Sequence, residues 1–248
     1  MGSMRYPLSE NFLRYFDVQF AKSRQQRGDV FGIRYRVYCE EFAYEPAGEF
    51  PDRQETDAFD GASVHALIYH KSSGRPAGCV RMVTPAGPDN EDALPFEQNC
   101  GEALDRGLID GLHLQRTRVC EISRLAVDGA FRRRPGEQMT RYGEVDALDC
   151  SQQERRTFSL IAVTCFLAAT ALTDISGRTD VFAMMEPFLP KLLQRSGIEF
   201  QRVGQDIDYH GVRAPYFIRT QSALDNMRAD LKELYVEVHD RISRDYSG

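Results

Sequence analysis

A glutamate and an arginine three residues apart form the first candidate for chemistry. Residues 117–127 are rich in β-branched side chains and predict a strand, with Glu121 and Arg124 near its centre. Because side chains alternate between the two faces of a strand, only a β-bulge brings this pair to one place. Ionised groups in such an apolar stretch are costly unless they are paired. The pair indicates a catalytic carboxylate beside an arginine or a buried structural ion network, and the spacing alone favours the network.

Two further charged motifs precede this strand. Asp57 and Asp60 lie in a loop rich in Pro and Gly, and Arg81 lies near the end of another predicted strand. Two such carboxylates are able to hold an amine, orient an arginine or bind a cation, but acids in a loop are usually only solvated. An exposed arginine at a strand end is equally ordinary. Each motif alone indicates a site only weakly.

A basic segment follows the predicted central strand. Arg132, Arg133 and Arg134 stand just before a Pro-Gly pair, and residues 113–134 carry six arginines and two acids, a local charge of +4 in a chain of −6. Cations and backbone N–H groups between a strand and a helix are suited to a pyrophosphate or an acidic partner. A solvated basic turn is the alternative, and the local reversal of charge gives the two interpretations similar weight.

The elements that must position these residues follow from apolar periodicity and turn residues. Residues 9–42 predict two helical stretches separated near Gly28, and an antiparallel hairpin is expected at 63–70 and 76–83. The segment 158–172 is hydrophobic all round, as is typical of a buried crossover helix. The other expected elements are a polar excursion at 137–156, strands at 179–184, 198–203 and 216–220, and a helix at 186–196 followed by Gly197.

The order of these elements predicts an α/β fold with a mixed sheet. We find no repeats and no low-complexity linker, and 248 residues are enough to bury a sizeable core without disulfides or a metal. Residues 1–4 resemble the remnant of a purification tag. We therefore expect a single domain over residues 5–248.

Composition excludes several classes of protein. The net charge of −6 argues against a nucleic-acid-binding protein, although 27 of the 31 cations are arginine. The cysteines and histidines lack metal-ligand spacing, and the most apolar run is shorter than the roughly 20 residues of a membrane span. Phosphate-loop, dinucleotide-binding and hydrolase-elbow motifs are absent from the sequence. These observations predict a cytoplasmic enzyme without a metal or a permanently bound cofactor.

The charged positions, taken in order, resemble those of the autoinducer (acyl-homoserine-lactone) synthases and the related N-acyl amino acid synthases. That pattern has an arginine on an N-terminal helix, aromatic residues, an Asp-x-x-Asp pair, a strand-end arginine, and Glu-x-x-Arg on the central strand. Tyr38 stands where these proteins usually have Phe, and Tyr44 stands where they have Trp. The charged residues that match are Arg34, Asp57, Asp60, Arg81, Glu121 and Arg124.

Over residues 30–218 the chain resembles still more closely the acyltransferases associated with exosortase/PEP-CTERM protein-sorting systems. The segments that carry this resemblance are 37–41, 185–189 and 210–216. It implies a GNAT-like (acyl-CoA N-acyltransferase) fold, with a mixed, mostly antiparallel twisted sheet flanked by helices. In that fold an acyl-phosphopantetheine thioester lies against a splayed central strand.

The resemblance implies transfer of a fatty-acyl group from acyl-carrier protein or acyl-CoA to the amine of a small acceptor such as an amino acid. Glu121 would accept the proton of the amine, and the segment 158–172 would wall an acyl tunnel. The implied acceptor-binding residues are Arg34, Tyr38, Tyr44, Asp57, Asp60, Arg81, Ser123 and Arg124. The implied donor-binding residues are Leu125, Ala126 and Val127, through their backbone N–H groups, and Arg132, Arg133 and Arg134.

Three alternatives stay open at the level of sequence. S-adenosylmethionine is the acceptor of autoinducer synthases, but the tyrosine at position 44 and the different C-terminal third leave the acceptor undecided. An ordinary acetyl-CoA-dependent N-acetyltransferase predicts a glycine-rich pyrophosphate loop, and the segment 132–136 supplies one glycine. A catalytically idle acyl-binding sensor has no need of the complete charged set.

Overall fold

The computed structural model describes residues 7–87, 90–132, 151, 154 and 157–246. Its centre is one sheet with the strand order β1-β2-β3-β4-β5-β8-β6, to which β7 is added through β8. The strands are β1 Phe16–Phe20, β2 Ser63–His70, β3 Pro76–Val83, β4 Val119–Val127, β5 Asp180–Met185, β6 Gln201–Arg202, β7 Ile207–Asp208 and β8 Val212–Arg219.

Helices cover both faces of this sheet. A π-helix, Tyr35–Glu41, continues directly from the α-helix Arg24–Arg34. The α-helices of the described residues are α1 Leu8–Tyr15, α2 Arg24–Arg34, α3 Pro95–Cys100, α4 Arg106–Gly111, α5 Ser159–Ile175, α6 Leu189–Gln194, α7 Thr220–Asn226 and α8 Ala229–Tyr246. Across the described ranges, no helix is both long and apolar enough to cross a membrane.

The central strand β4 gives the sheet its mixed character. It pairs antiparallel with β3 from Glu121 to Val127, and parallel with β5 only from Val119 to Glu121. Beyond Glu121 the two strands separate. The α/β class with a mixed, mostly antiparallel sheet is therefore confirmed, and so are the predicted hairpin and the buried helix, which is α5.

A glycine on β3 allows that helix to pack closely on the sheet. A Cβ atom added at Gly78 would lie 2.8 Å from Cγ2 of Ile161 and 3.2 Å from the sulfur of Cys165, two residues of α5. Both of these side chains are buried in the main apolar core, which α8 completes on the same face. The polar side chains of the site therefore lie on a rigid, close-packed support.

The expectation of two helical stretches over residues 9–42 is wrong in part. Residues 16–20 form β1, in which Phe16 and Val18 are buried while Asp17 and Gln19 are partly exposed, and this alternation has the period of a strand. The following helix begins after Ser23, whose hydroxyl accepts from the backbone N–H of Gln26 in a capping box, so Gly28 lies within a helix.

Smaller differences occur in the last third of the chain. The strand expected at 198–203 is only Gln201–Arg202, and the helix expected at 186–196 is only Leu189–Gln194. The C-terminal helix α8 follows an amphipathic pattern that the sequence interpretation did not include. Except for residues 151 and 154, the polar excursion at 137–156 lies outside the described residues.

Candidate active site

A cavity of about 420 Å³ opens where β4 and β5 separate. Residues 121–127 of β4 form one wall, and α5 contributes Ala162, Phe166 and Ala169 to the floor. Phe188 and Leu192 also line the cavity and are each 47% exposed, which places an apolar opening beside α6. The cavity therefore joins an apolar part to the polar residues of the central strand.

A β-bulge on β4 brings the Glu-x-x-Arg pair to this cavity. Cys79 pairs with Ala126 and Arg81 pairs with Ser123, so two β4 residues lie opposite one residue of β3. At this point the backbone of Arg124 has φ of +50°, a left-handed conformation that is strained for a side chain of this size. Glu121 and Arg124 consequently line the same cavity.

Glu121 is 3% exposed, at the inner end of the separated strands. The backbone N–H of Phe96 donates to its carboxylate over 2.7 Å. Burial raises the pKa of Glu121 to about 8, although the hydrogen bond from Phe96 and the charges of Arg81 and Arg124 favour the ionised form. A carboxyl group with this pKa exchanges a proton readily near neutral pH, as a general base must.

Behind the cavity, Arg34 is completely buried between two carboxylates. Its Nε donates to Glu55 over 2.5 Å, and its two Nη atoms donate to Asp60 over 2.6 and 3.1 Å. Burial alone would raise the pKa of Asp60, but hydrogen bonding and charge from Arg34, together with the charge of Arg81, lower it to about 2. Arg34 and Asp60 lie outside the cavity lining, and their predicted role in binding the acceptor stays a prediction.

Two more arginines connect these carboxylates to the cavity. Arg81 donates to Asp57 over 2.6 Å and to the hydroxyl of Ser123 over 3.1 Å. Arg124 lies 3.2 Å from each of Glu45, Glu55 and Asp57. We call the whole set the charged cluster, and it comprises Arg34, Arg81, Arg124, Glu45, Glu55, Asp57 and Asp60.

The two predicted aromatic positions have different surroundings. The hydroxyl of Tyr38 donates to the carbonyl of Leu125 over 3.1 Å, and the guanidinium of Arg124 lies 5.3 Å from the centre of its ring. Tyr38 lines the cavity and holds the bulge in place. Tyr44 instead stacks on His210 at 5.4 Å, which connects the N-terminal loop to the turn between β7 and β8.

The predicted donor-binding residues are only partly described. Leu125, Ala126 and Val127 line the cavity, and their role in binding the donor stays a prediction. Arg132 also lines it, but this residue forms an ion pair with Glu41 and lies 5.2 Å from the ring centre of Phe42. Arg133 and Arg134 lie outside the described residues. Arg132 is therefore not an open basic surface.

Several residues of the site were missed in the sequence. The loop that carries the Asp pair has further acids, and this excess of carboxylates is a usable indication, although it does not separate buried Glu55 from exposed Glu49. The other missed residues are Glu45, Phe96, Tyr209, His210 and Arg213. For the described part of the chain, we find no cluster of three or more His, Cys, Asp or Glu able to hold a metal.

The raised pKa of Glu121 predicts how stability depends on pH. Because the folded protein keeps this proton up to about pH 8 and the unfolded chain releases it near pH 4.5, the free energy of unfolding falls as pH rises between these values. Glu121→Gln lacks this contribution, so its stability relative to wild type increases by at most about 4 kcal/mol across the window. Urea unfolding at pH 5, 6.5, 8 and 9 measures this difference, and a difference that does not vary with pH would contradict the assignment.

Comparison with known proteins agrees with this geometry. Residues 33–141 match the acetyltransferase (GNAT) domain, a range that contains the whole charged cluster and all of β4. The mixed sheet, the cavity at the separated strands and this match together show a GNAT-like fold.

One curated protein and two solved structures show which GNAT-like proteins this chain resembles. The acyl-homoserine-lactone synthase of Agrobacterium fabrum is 25% identical over 152 residues, which cover 61% of this chain and 59% of that protein. The crystal structure of TofI in a ternary complex with an inhibitor and MTA is 16% identical, with a TM-score of 0.60 over 89% of this chain and 99% of that one. The N-acyl amino acid synthase FeeM, from uncultured soil microbes, is 11% identical, with a TM-score of 0.55 over 88% and 97%. The chain thus resembles autoinducer and N-acyl amino acid synthases, and the link to exosortase systems stays a prediction.

Proposed function

We propose that this protein is an N-acyltransferase that moves a fatty-acyl group from an acyl-phosphopantetheine thioester to the amine of a small acceptor such as an amino acid. The observation that carries the proposal is the cavity itself. Apolar side chains of α5 and the bulged, charged segment of β4 line one space, which fits a substrate with an apolar chain and a polar reacting end. The relatives named above support the same reaction class.

The donor would lie along the open edge of β4. Past Glu121 this edge has no strand partner among the described residues, because β5 has moved away. Successive N–H groups of a strand point to opposite edges, so only those of residues 125–127 that face the open edge would donate to the oxygen of the thioester, where negative charge develops during attack. The acyl chain would extend over α5, against Phe166 and Ala169.

The reaction follows from the positions of these groups. The acceptor nitrogen attacks the thioester carbonyl, the N–C bond forms, and the C–S bond breaks as a thiolate leaves, which then takes up a proton from Glu121 or from water to become the free thiol. Glu121 takes the proton that the nitrogen loses, directly or through a water molecule. The raised pKa of Glu121 suits this role. The ionised carboxylate is basic enough to take a proton from the attacking nitrogen, and the protonated carboxyl is acidic enough to release that proton again.

Product analysis tests the proposal. Purified protein is incubated with acyl-CoA and acyl-carrier protein of several chain lengths, and with a pool of amines that contains amino acids and S-adenosylmethionine. We expect N-acyl products in the mass spectrum. An acyl-homoserine lactone would identify S-adenosylmethionine as the acceptor, which the Agrobacterium relative suggests. A stable complex with the donor and no product would instead indicate an acyl-binding protein.

The wall formed by α5 predicts a limit on acyl-chain length. Ala169 lines the cavity, so Ala169→Phe fills part of the space that the chain would occupy. Each methylene that no longer enters costs about 0.8 kcal/mol, or roughly fourfold in kcat/KM. Competition between long and short acyl donors measures the preference, and an unchanged rate with the shortest donor controls for folding. An equal loss with all donors would show that the chain does not lie on this wall.

A further inference from the structure

One cation of the cavity lacks a counter-ion. Arg213, at the start of β8, lines the cavity and is only partly exposed. Its guanidinium lies over the ring of Tyr44, 5.7 Å from the ring centre, and its Nε is buried without a hydrogen-bond partner. Among the described residues it forms no ion pair. This isolation distinguishes Arg213 from the other arginines of the cavity, which all contact carboxylates: Arg81, Arg124 and Arg132.

An uncompensated guanidinium in a half-buried cavity indicates an anionic ligand. Removing a charge from water is costly unless an opposite charge or hydrogen bonds replace the water. Arg213 has only an aromatic face, which supplies a part of that compensation. A planar guanidinium binds a carboxylate or a phosphate through two parallel hydrogen bonds, so these two groups are the candidates.

The position of Arg213 indicates that the anion it binds belongs to the acceptor and not to the donor. The turn before it contains Tyr209 and His210, whose rings stack at 4.5 Å, and His210 in turn stacks on Tyr44. Tyr209 lines the cavity together with Arg124 of the charged cluster. Nδ1 of His210 is a second buried polar atom without a partner. Arg213 therefore stands beside the polar residues, whereas the phosphate of a phosphopantetheine thioester lies at the other end of its arm from the reacting carbonyl.

We propose that Arg213 binds the carboxylate of an amino-acid acceptor while its amine faces Glu121. The inference rests on the proposed function, and it makes Arg213 the residue that separates amino acids from simple amines. Substrates that lack the carboxylate leave this guanidinium unpaired in the cavity, which is the condition under which a polar site discriminates most strongly.

Matched pairs of acceptors test this role. Phenylalanine is compared with phenethylamine, leucine with isoamylamine, and S-adenosylmethionine with its decarboxylated form. Arg213→Gln should lower kcat/KM for the carboxylate-bearing members by about 10–100-fold, as expected for a lost charged hydrogen bond, and leave their decarboxylated partners and the KM of the donor unchanged. Arg213→Lys should recover part of the loss. Arg202→Gln, an exposed arginine on the neighbouring β6, is the matched control.

Failure of this inference differs from failure of the proposed function. Equal losses for both members of each pair, or a raised KM for the donor, would overturn the carboxylate assignment and point to the donor phosphate. If no acyl transfer occurs with any acceptor, the shift in Tm caused by phenylalanine and by phenethylamine decides the matter. A larger shift with phenylalanine that disappears in Arg213→Gln supports the proposal, and equal or absent shifts contradict it.

Discussion

Glu121→Gln lowers the rate of acyl transfer by about 10²–10⁴-fold, the contribution expected of a positioned general base. The amide is nearly isosteric and still accepts the hydrogen bond from Phe96, so the fold and the affinity for the donor should be retained. The side chain can no longer take a proton from the acceptor. Steady-state rates with a saturating donor measure the effect, and circular dichroism checks the fold. Turnover close to that of wild type would remove the general-base assignment.

The pH dependence of the rate provides a second test of this residue. Because burial raises the pKa of Glu121 to about 8, kcat/KM should rise with pH and level off, with the midpoint of the rise near pH 8. Acceptors whose amines differ in pKa separate the contribution of the enzyme from that of the substrate. A midpoint that stays the same with each acceptor and disappears in Glu121→Gln supports the assignment. Glu102→Gln, an exposed glutamate near the cavity-lining α3, should behave as wild type.

Glu55→Gln destabilises the folded protein by about 3 kcal/mol, the cost of breaking a buried ion pair by removing one partner. Glu55 is 1% exposed and contacts two arginines, Arg34 over 2.5 Å and Arg124 over 3.2 Å. Without its charge, both guanidinium groups lose a counter-ion in a region from which water is excluded. Urea-induced unfolding at pH 7 measures the loss of free energy.

An exposed glutamate of the same loop is the control for this prediction. Glu49 is exposed to solvent, so Glu49→Gln should change the free energy of unfolding by less than about 0.5 kcal/mol. If the two variants have the same stability, the charged cluster contributes no more than surface charges do. Glu55→Gln combined with Arg124→Met should cost less free energy than the sum of the two single variants, since Glu55 and Arg124 share one ion pair.

The elements that the sequence predicted best are those whose pattern is local. The hairpin of β2 and β3 is bounded by turn residues, with Gly74 in a left-handed conformation at φ of +67°. The helix α5 is apolar on every side, so its burial needs no knowledge of its neighbours. β1 is short and lies between two helices, and its alternation becomes decisive only when β2 pairs with it.

Charged residues of the site could be named from the sequence, but their arrangement could not. The family resemblance located Glu121 and Arg124, whereas the strand periodicity placed them on opposite faces. The bulge at Arg124 resolves this conflict, and it depends on pairing with β3, which is remote in sequence. Arg213 could not be found by pattern, because its isolation is defined by what surrounds it in space.

The basic segment shows where a charge sum along the sequence misleads. A local charge of +4 indicated a cationic surface, but three arginines in the described part of this segment form separate ion pairs. Arg116 pairs with Glu97, Arg124 belongs to the charged cluster, and Arg132 pairs with Glu41. A charge sum over consecutive residues ignores such long-range pairs.

The central claim is that a thioester and an amine react in the cavity beside β4. The most direct measurement follows thiol release and amide formation together, by a thiol reagent and by mass spectrometry, in wild type and in Glu121→Gln. We expect one amide for each thiol released by wild type, and a loss of both in the variant by about 10²–10⁴-fold. Thiol release that yields free fatty acid without amide, or equal amide formation by the two proteins, would contradict the account.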